Sequence, residues 1–127
     1  MITEDYVSFE TAKLLKEKGF DELCHQKYDS DGELSFNHVG YVNSEKPCDD
    51  FYALAPTLQM AMKWLREVHK LHITILWDCG ACIGKSSFYY HIDRMDNYED
   101  KGYNKIGFDS NEEAIEAALK YCLENLI

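Results

Sequence analysis

Proline is almost missing from this 127-residue chain: Pro47 and Pro56 are the only two, so long stretches are free to form regular structure. No apolar run approaches the roughly 18 residues that would cross a bilayer, and no spanning helix is expected. Positive charge is also scarce, with 13 Lys and Arg against 23 Asp and Glu and a formal net charge of −10. Nucleic-acid backbones and anionic membranes are held by Lys and Arg, so general binding to either is disfavoured. The opening Met1-Ile2-Thr3-Glu4-Asp5 carries acid where a secretory leader carries base before an apolar core. Cysteine is present but odd in number, five in scattered positions. Together these features predict a cytoplasmic protein with free thiols rather than a disulfide framework. The chain also lacks a Gly-x-Ser-x-Gly elbow, a glycine-rich phosphate loop and a His-Glu-x-x-His pair.

What is there predicts one folded domain, residues 1–127. Hydrophobic residues make up 46% and aromatics 13%, enough apolar surface for a core without metal or disulfide support. Ser8 to Lys18 reads as a helix, capped by the Ser8 hydroxyl and ended by Gly19, with Phe20 folding back onto Leu15. Leu23 to Tyr28 and Glu33 to Val39 alternate as two strands, joined by Asp29-Ser30-Asp31-Gly32. That turn is a poor calcium loop, because its glycine falls fourth rather than sixth and no late bidentate Glu follows. A loop over 40–50 leads into Phe51 to Leu54, a short extra strand.

The stretch from Ala55 to Trp77 organises the rest. Pro56 suits the first position of a helix, and Leu58, Ala61, Met62, Leu65 and Val68 recur at three- and four-residue steps as its core face. His72 to Trp77 then reads as a buried strand and Ser86 to Asp93 as its hairpin partner, with Cys79 to Lys85 between. Tyr98 to Tyr103 is a polar loop. Ser110-Asn111-Glu112-Glu113 is a capping box that opens a closing helix with a stripe of Ile115, Ala118, Leu119, Cys122, Leu123 and Leu126. The order α-ββ-α-ββ-α predicts an α+β fold, an antiparallel sheet from two hairpins with helices packed on one face.

Four sets of residues are candidates for function. Cys79-Gly80-Ala81-Cys82 has the spacing of a thiol-redox site, whose first thiolate needs a helix N-terminus. Here a strand follows instead, and both prolines lie upstream, so the downstream cis-proline of thioredoxin-like proteins is missing. The same cysteines with His69 and His72 would supply four zinc ligands. A strand from Ile73 to Trp77, about 16 Å at 3.3 Å per residue, would hold the two pairs apart. Lys63, Arg66 and Lys70 make the central helix the one basic element: residues 56–72 have three bases and one acid, whereas 19–55 carry −6 and 93–127 carry −5. Tyr89 and Tyr90, adjacent on a strand, must face opposite ways and place one phenol toward a partner. His25, His38 and His91 have no local partner pattern.

Val7 to Glu22 (VSFETAKLLKEKGFDE), Ala55 to Ile73 (APTLQMAMKWLREVHKLHI) and the end from Glu112 (EEAIEAALKYCLENLI) resemble small uncharacterised proteins of gut anaerobic bacteria and their phages. The resemblance covers about half of the chain. It implies a bacterial, intracellular protein linked to phage or mobile elements and carries over no catalytic residue, metal ligand or cofactor. The leading expectation is a non-enzymatic protein-interaction module that binds a protein partner or itself, in its sharpest form an acidic decoy of nucleic acid. A thiol-redox or zinc protein using Cys79 and Cys82 is the second, and a small-ligand-binding or enzymatic domain the third.

Overall fold

The computed structural model describes residues 2–42, 51–81 and 83–127. The chain is α+β and divides into two compact units, residues 1–61 and 62–127. Each holds a three-stranded antiparallel sheet, so two sheets stand where one was expected. The order is α1 (Phe9–Glu17), β1 (Cys24–Asp29), β2 (Leu34–Tyr41), β3 (Phe51–Leu54), α2 (Leu58–Val68), β4 (Leu71–Asp78), β5 (Ser87–Arg94), β6 (Tyr103–Phe108) and α3 (Asn111–Tyr121). A π-helical turn, Cys122–Leu126, continues α3, where the apolar stripe had predicted unbroken α-helix.

In the first unit the strand order is β2-β1-β3. Ser8 caps α1 as expected, its Oγ accepting from the Thr11 N–H at 3.3 Å. After Gly19, at φ 91°, the Phe20 N–H returns to the Leu15 carbonyl at 2.9 Å. The β1–β2 turn uses its carboxylate locally: Asp29 Oδ1 accepts from the N–H groups of Asp31 at 3.0 Å and Glu33 at 2.9 Å. Those bonds account for an aspartate at this corner as a backbone brace. Val7, Ala12, Leu15, Phe20 and Leu54 are closed from solvent and form the core.

Pro56 does not open the central helix. Its carbonyl accepts from the Val7 N–H at 3.0 Å, and Thr57 bridges Tyr6 in extended conformation. The N-terminal segment therefore holds residues 55–57 straight, and α2 begins at Leu58, with the Thr57 hydroxyl accepting from the Met60 N–H at 3.1 Å as the cap. Leu58, Ala61 and Leu65 are buried as the periodicity predicts, together with Trp64, but Val68 is 55% exposed.

In the second unit the order is β4-β5-β6. β4 and β5 pair without interruption from Leu71↔Arg94 to Asp78↔Ser87. The third strand falls where the sequence reading had placed only a loop and its continuation. Cross-strand partners share a face, so Ile73 and Ile92 lie together, as do Ile75 and Tyr90. α3 packs on this face: Tyr121 meets Tyr90 and Tyr103 at centroid distances of 6.4 and 5.5 Å. Ala114, Ile115, Ala118, Leu119, Cys122 and Leu123 are its buried stripe. Ser110 Oγ accepts from the Glu113 N–H at 3.1 Å, while Glu113 Oε2 reaches back to the Asp109 N–H at 3.2 Å, one residue earlier than a capping box requires.

Candidate interaction surface

β4 is half buried and half open. Leu71 and Ile73 are enclosed, but Leu76 is 42% and Trp77 61% exposed, so the far end of a strand expected to be buried faces solvent. Trp77 pairs with Phe88, which pairs with Phe108, setting three aromatics in a row across the sheet. Phe108 also stacks on Tyr90 at 5.8 Å, and Lys105 Nζ stands 5.9 Å from the Phe108 ring centroid. Ile83, in the β4–β5 loop, is 44% exposed and lies against the Gly107 backbone, where an added Cβ would stand 3.9 Å from its Cδ1. An exposed indole of this kind is the usual anchor of a protein contact, because it covers much area at little entropic cost.

The tyrosine pair divides as alternation requires. Tyr90 is buried beneath α3, and burial, with Tyr121 and Cys122 beside it, pushes its phenol up. It presents no surface to a partner; Tyr89, on the opposite face beside Leu76 and Ile106, is half-buried. On α2, Lys63 is exposed and Arg66 half-buried, and among the described residues neither has a carboxylate within ion-pair distance. Lys70, at φ 58°, donates from Nζ to the Glu67 carbonyl at 3.0 Å. Pairing of this basic strip with acidic loops, which the charge pattern suggests, is not found among the described residues.

The metal candidates are distributed along β4 as its length dictates. His69 ends the turn after α2, edge-on to Trp64 at 4.7 Å, and burial lowers its pKa; its Nε2 is enclosed without a hydrogen bond. His72 sits on the opposite face of β4 from Ile73, and its Nδ1 is likewise enclosed and unpartnered. Cys79 is exposed just beyond the other end of the strand, and Cys82 lies outside the described residues. Between them Asp78 Oδ2 accepts from the Gly80 N–H at 3.0 Å, bracing the turn. Among the described residues no three or more His, Cys, Asp or Glu side chains gather as a metal site.

Two arrangements missed by the sequence reading bear on the third expectation. His91 Nε2 and Asp93 Oδ1 are 2.9 Å apart on the outer face of β5, across from Thr74 and His72. Such a pair orients an imidazole, yet no hydroxyl or thiol is bonded to His91 among the described residues, so no activated nucleophile is formed. An i, i+2 spacing on a strand was its only available signal. In the first unit a shallow cleft of about 180 Å³ is lined by Tyr6, Cys24, Gln26, Pro56 and Met60. Small-molecule pockets run from about 300 Å³ upward, and Cys24 Sγ, with its pKa raised to about 12 by burial and Glu22, donates weakly to Met60 Sδ at 3.8 Å. The histidine in its lining is His25. Comparison of the chain with protein-family models, curated proteins and solved structures found no match.

Proposed function

We propose that the chain is a non-enzymatic protein-interaction module whose contact surface lies in the second unit, at the open end of β4. The observation that carries this reading is the exposure of Trp77 on one side of the β4 end and of Leu76 on the other, with Ile83 open in the adjoining loop. Leu71, Ile73 and Ile92 of the same sheet are buried, so cover stops toward the Trp77 end. Leaving a tryptophan 61% exposed forgoes burial worth on the order of 1–2 kcal/mol. A bound partner recovers that energy. The basic side chains of Lys63 and Arg66 offer a second, electrostatic contact to a partner with acidic groups. A bacterial, phage- or mobile-element-linked origin, from the resemblance of Val7 to Glu22 and Ala55 to Ile73, fits a small protein that acts by occupying another.

The test is a pull-down from bacterial extract with wild-type protein and with Trp77→Ser as baits, the bound proteins being identified by mass spectrometry. A partner retained by the first and lost by the second supports the reading; identical profiles reject it. The thiol or zinc alternative is separated by metal analysis of purified protein and thiol titration, each repeated with Cys79→Ser. Stoichiometric zinc that the substitution removes would favour that alternative over an interaction module.

A further inference from the structure

In the first unit two sulfur atoms meet in the cleft. Cys24 opens β1 and is 4% exposed, and its Sγ stands 3.8 Å from Sδ of Met60 in the first turn of α2. Both residues line the cleft. The Met60 backbone is held by its N–H bond to the Thr57 hydroxyl at 3.1 Å, and its side is the open one, at 39% exposure. The cleft, at about 180 Å³, is smaller than the pockets that take organic molecules but has ample room for one ion. Leu23, Ala55 and Pro56 give it apolar walls, and Glu4 is the carboxylate in its lining.

We infer that this cleft is a copper(I) site, the ion bound between the Cys24 thiolate and the Met60 thioether. The inference is independent of the contact surface on β4. Two sulfur donors, one of them a thioether, select a soft ion, since zinc takes thiolate and imidazole, and magnesium and calcium take oxygen. The spacing agrees. On metal–sulfur bonds of about 2.3 Å, sulfurs 3.8 Å apart subtend about 110° at a shared ion and leave a third position open. The charge agrees as well. Copper(I) joined to one thiolate is neutral and can enter an apolar cleft, whereas zinc on the same thiolate keeps a positive charge there. Binding forms a bond from copper to the Cys24 sulfur and releases the thiol proton to solvent, Met60 adds a sulfur lone pair, and no oxidation state changes. Burial and Glu22 push the free thiol up to about 12, so without an ion it stays protonated and directed at Met60.

Anaerobic titration of the reduced whole chain with copper(I), against a chromophoric copper(I) chelator, tests this. Cys48→Ser, Cys79→Ser and Cys82→Ser together form the background, so that the thiols left are Cys24 and the enclosed Cys122. The expected result is one equivalent of copper(I), lost with Cys24→Ser and held at least about tenfold more weakly by Met60→Leu, which keeps the side chain's volume. X-ray absorption of the loaded protein is expected to show two sulfur neighbours at about 2.3 Å from copper. Far-UV circular dichroism is the control on folding, and where Cys24→Ser fails to fold, Met60→Leu decides alone. No bound copper, an affinity unchanged by Met60→Leu, or an equal affinity for zinc would each overturn the site. The Trp77→Ser capture tests the interaction module separately, so either reading can fail without the other.

Discussion

Cys24 and Cys122 are enclosed, and burial pushes each thiol up to about 12; Glu22 adds to this at Cys24, while Arg94 partly opposes it at Cys122. At pH 8 only on the order of one in ten thousand of such thiols is ionised, and the thiolate is the reactive form. Cys79 is exposed. Brief treatment of native protein with iodoacetamide is therefore expected to label Cys79 and spare Cys24 and Cys122 until denaturant is added, as peptide mass spectrometry would show. His69 behaves in the opposite sense, since burial lowers it below its ordinary 6.5. As pH falls through about 6.5 the unfolded chain binds a proton that the folded ring refuses, so stability drops and then levels once the folded ring also titrates. His69→Phe keeps an aromatic edge against Trp64 and removes the unpartnered Nε2. Urea melts are expected to show a gain of about 1 kcal/mol at pH 7.5 and a larger gain at pH 5.5.

At the scale of elements, α3 is fastened at both ends. Ser110 caps its start, and Ser110→Ala is expected to lower unfolding free energy by about 1 kcal/mol without altering the fold. Its end is held from β5: Arg94 donates from a terminal guanidinium nitrogen to the Leu126 carbonyl at 3.1 Å, and its Nε lies 3.4 Å from Asp100 Oδ2. Asp100 also receives the Gly102 N–H at 2.8 Å and lies 3.4 Å from the Tyr103 hydroxyl, so one carboxylate joins the 97–102 turn, β6 and the guanidinium. The side chains are 28% and 17% exposed, and solvent screening reduces what the ion pair contributes. Arg94→Ala is expected to cost about 1–2 kcal/mol, mostly through the hydrogen bonds. Hydrogen exchange should locate the loss in the last turn and in residues 97–102. Gly102 belongs to the same turn at φ 81°, where a Cβ would stand 2.6 Å from the Ile92 carbonyl oxygen and 2.9 Å from the His91 ring.

Across the whole molecule, the net charge of −10 governs what approaches it. Titration with duplex DNA at physiological salt is expected to leave its sedimentation unchanged, since 13 basic residues against 23 acidic ones cannot replace the counterions released from phosphate. The α+β class and, among the described residues, every helix and strand but β6 were legible in the chain, because local signals agree with the fold there. Ser8 and Gly19 bracket α1, Asp29 to Gly32 closes a hairpin, and Ser110 opens α3. β6 was not legible: Asn104, Lys105 and Gly107 break the apolar alternation, and its place is fixed by pairing with β5. The start of α2 was misplaced because the Val7 N–H, distant in sequence, claims the Pro56 carbonyl. The open end of β4 was missed for a related reason. Ile75, Leu76 and Trp77 read as core in sequence, and only their position in the sheet shows where cover stops.

The two tryptophans occupy opposite environments: Trp64 is 6% exposed with a histidine at its edge, and Trp77 is 61% exposed on an open strand. Emission from an indole shifts to shorter wavelength as water leaves it, so the protein carries two optical channels of different colour. The blue component should follow unfolding and the titration of His69. The red component should follow whatever settles on β4, without a label being added. Trp64→Phe and Trp77→Phe separate the two spectra, and a ligand-induced blue shift that survives the first and vanishes in the second would come from the surface alone.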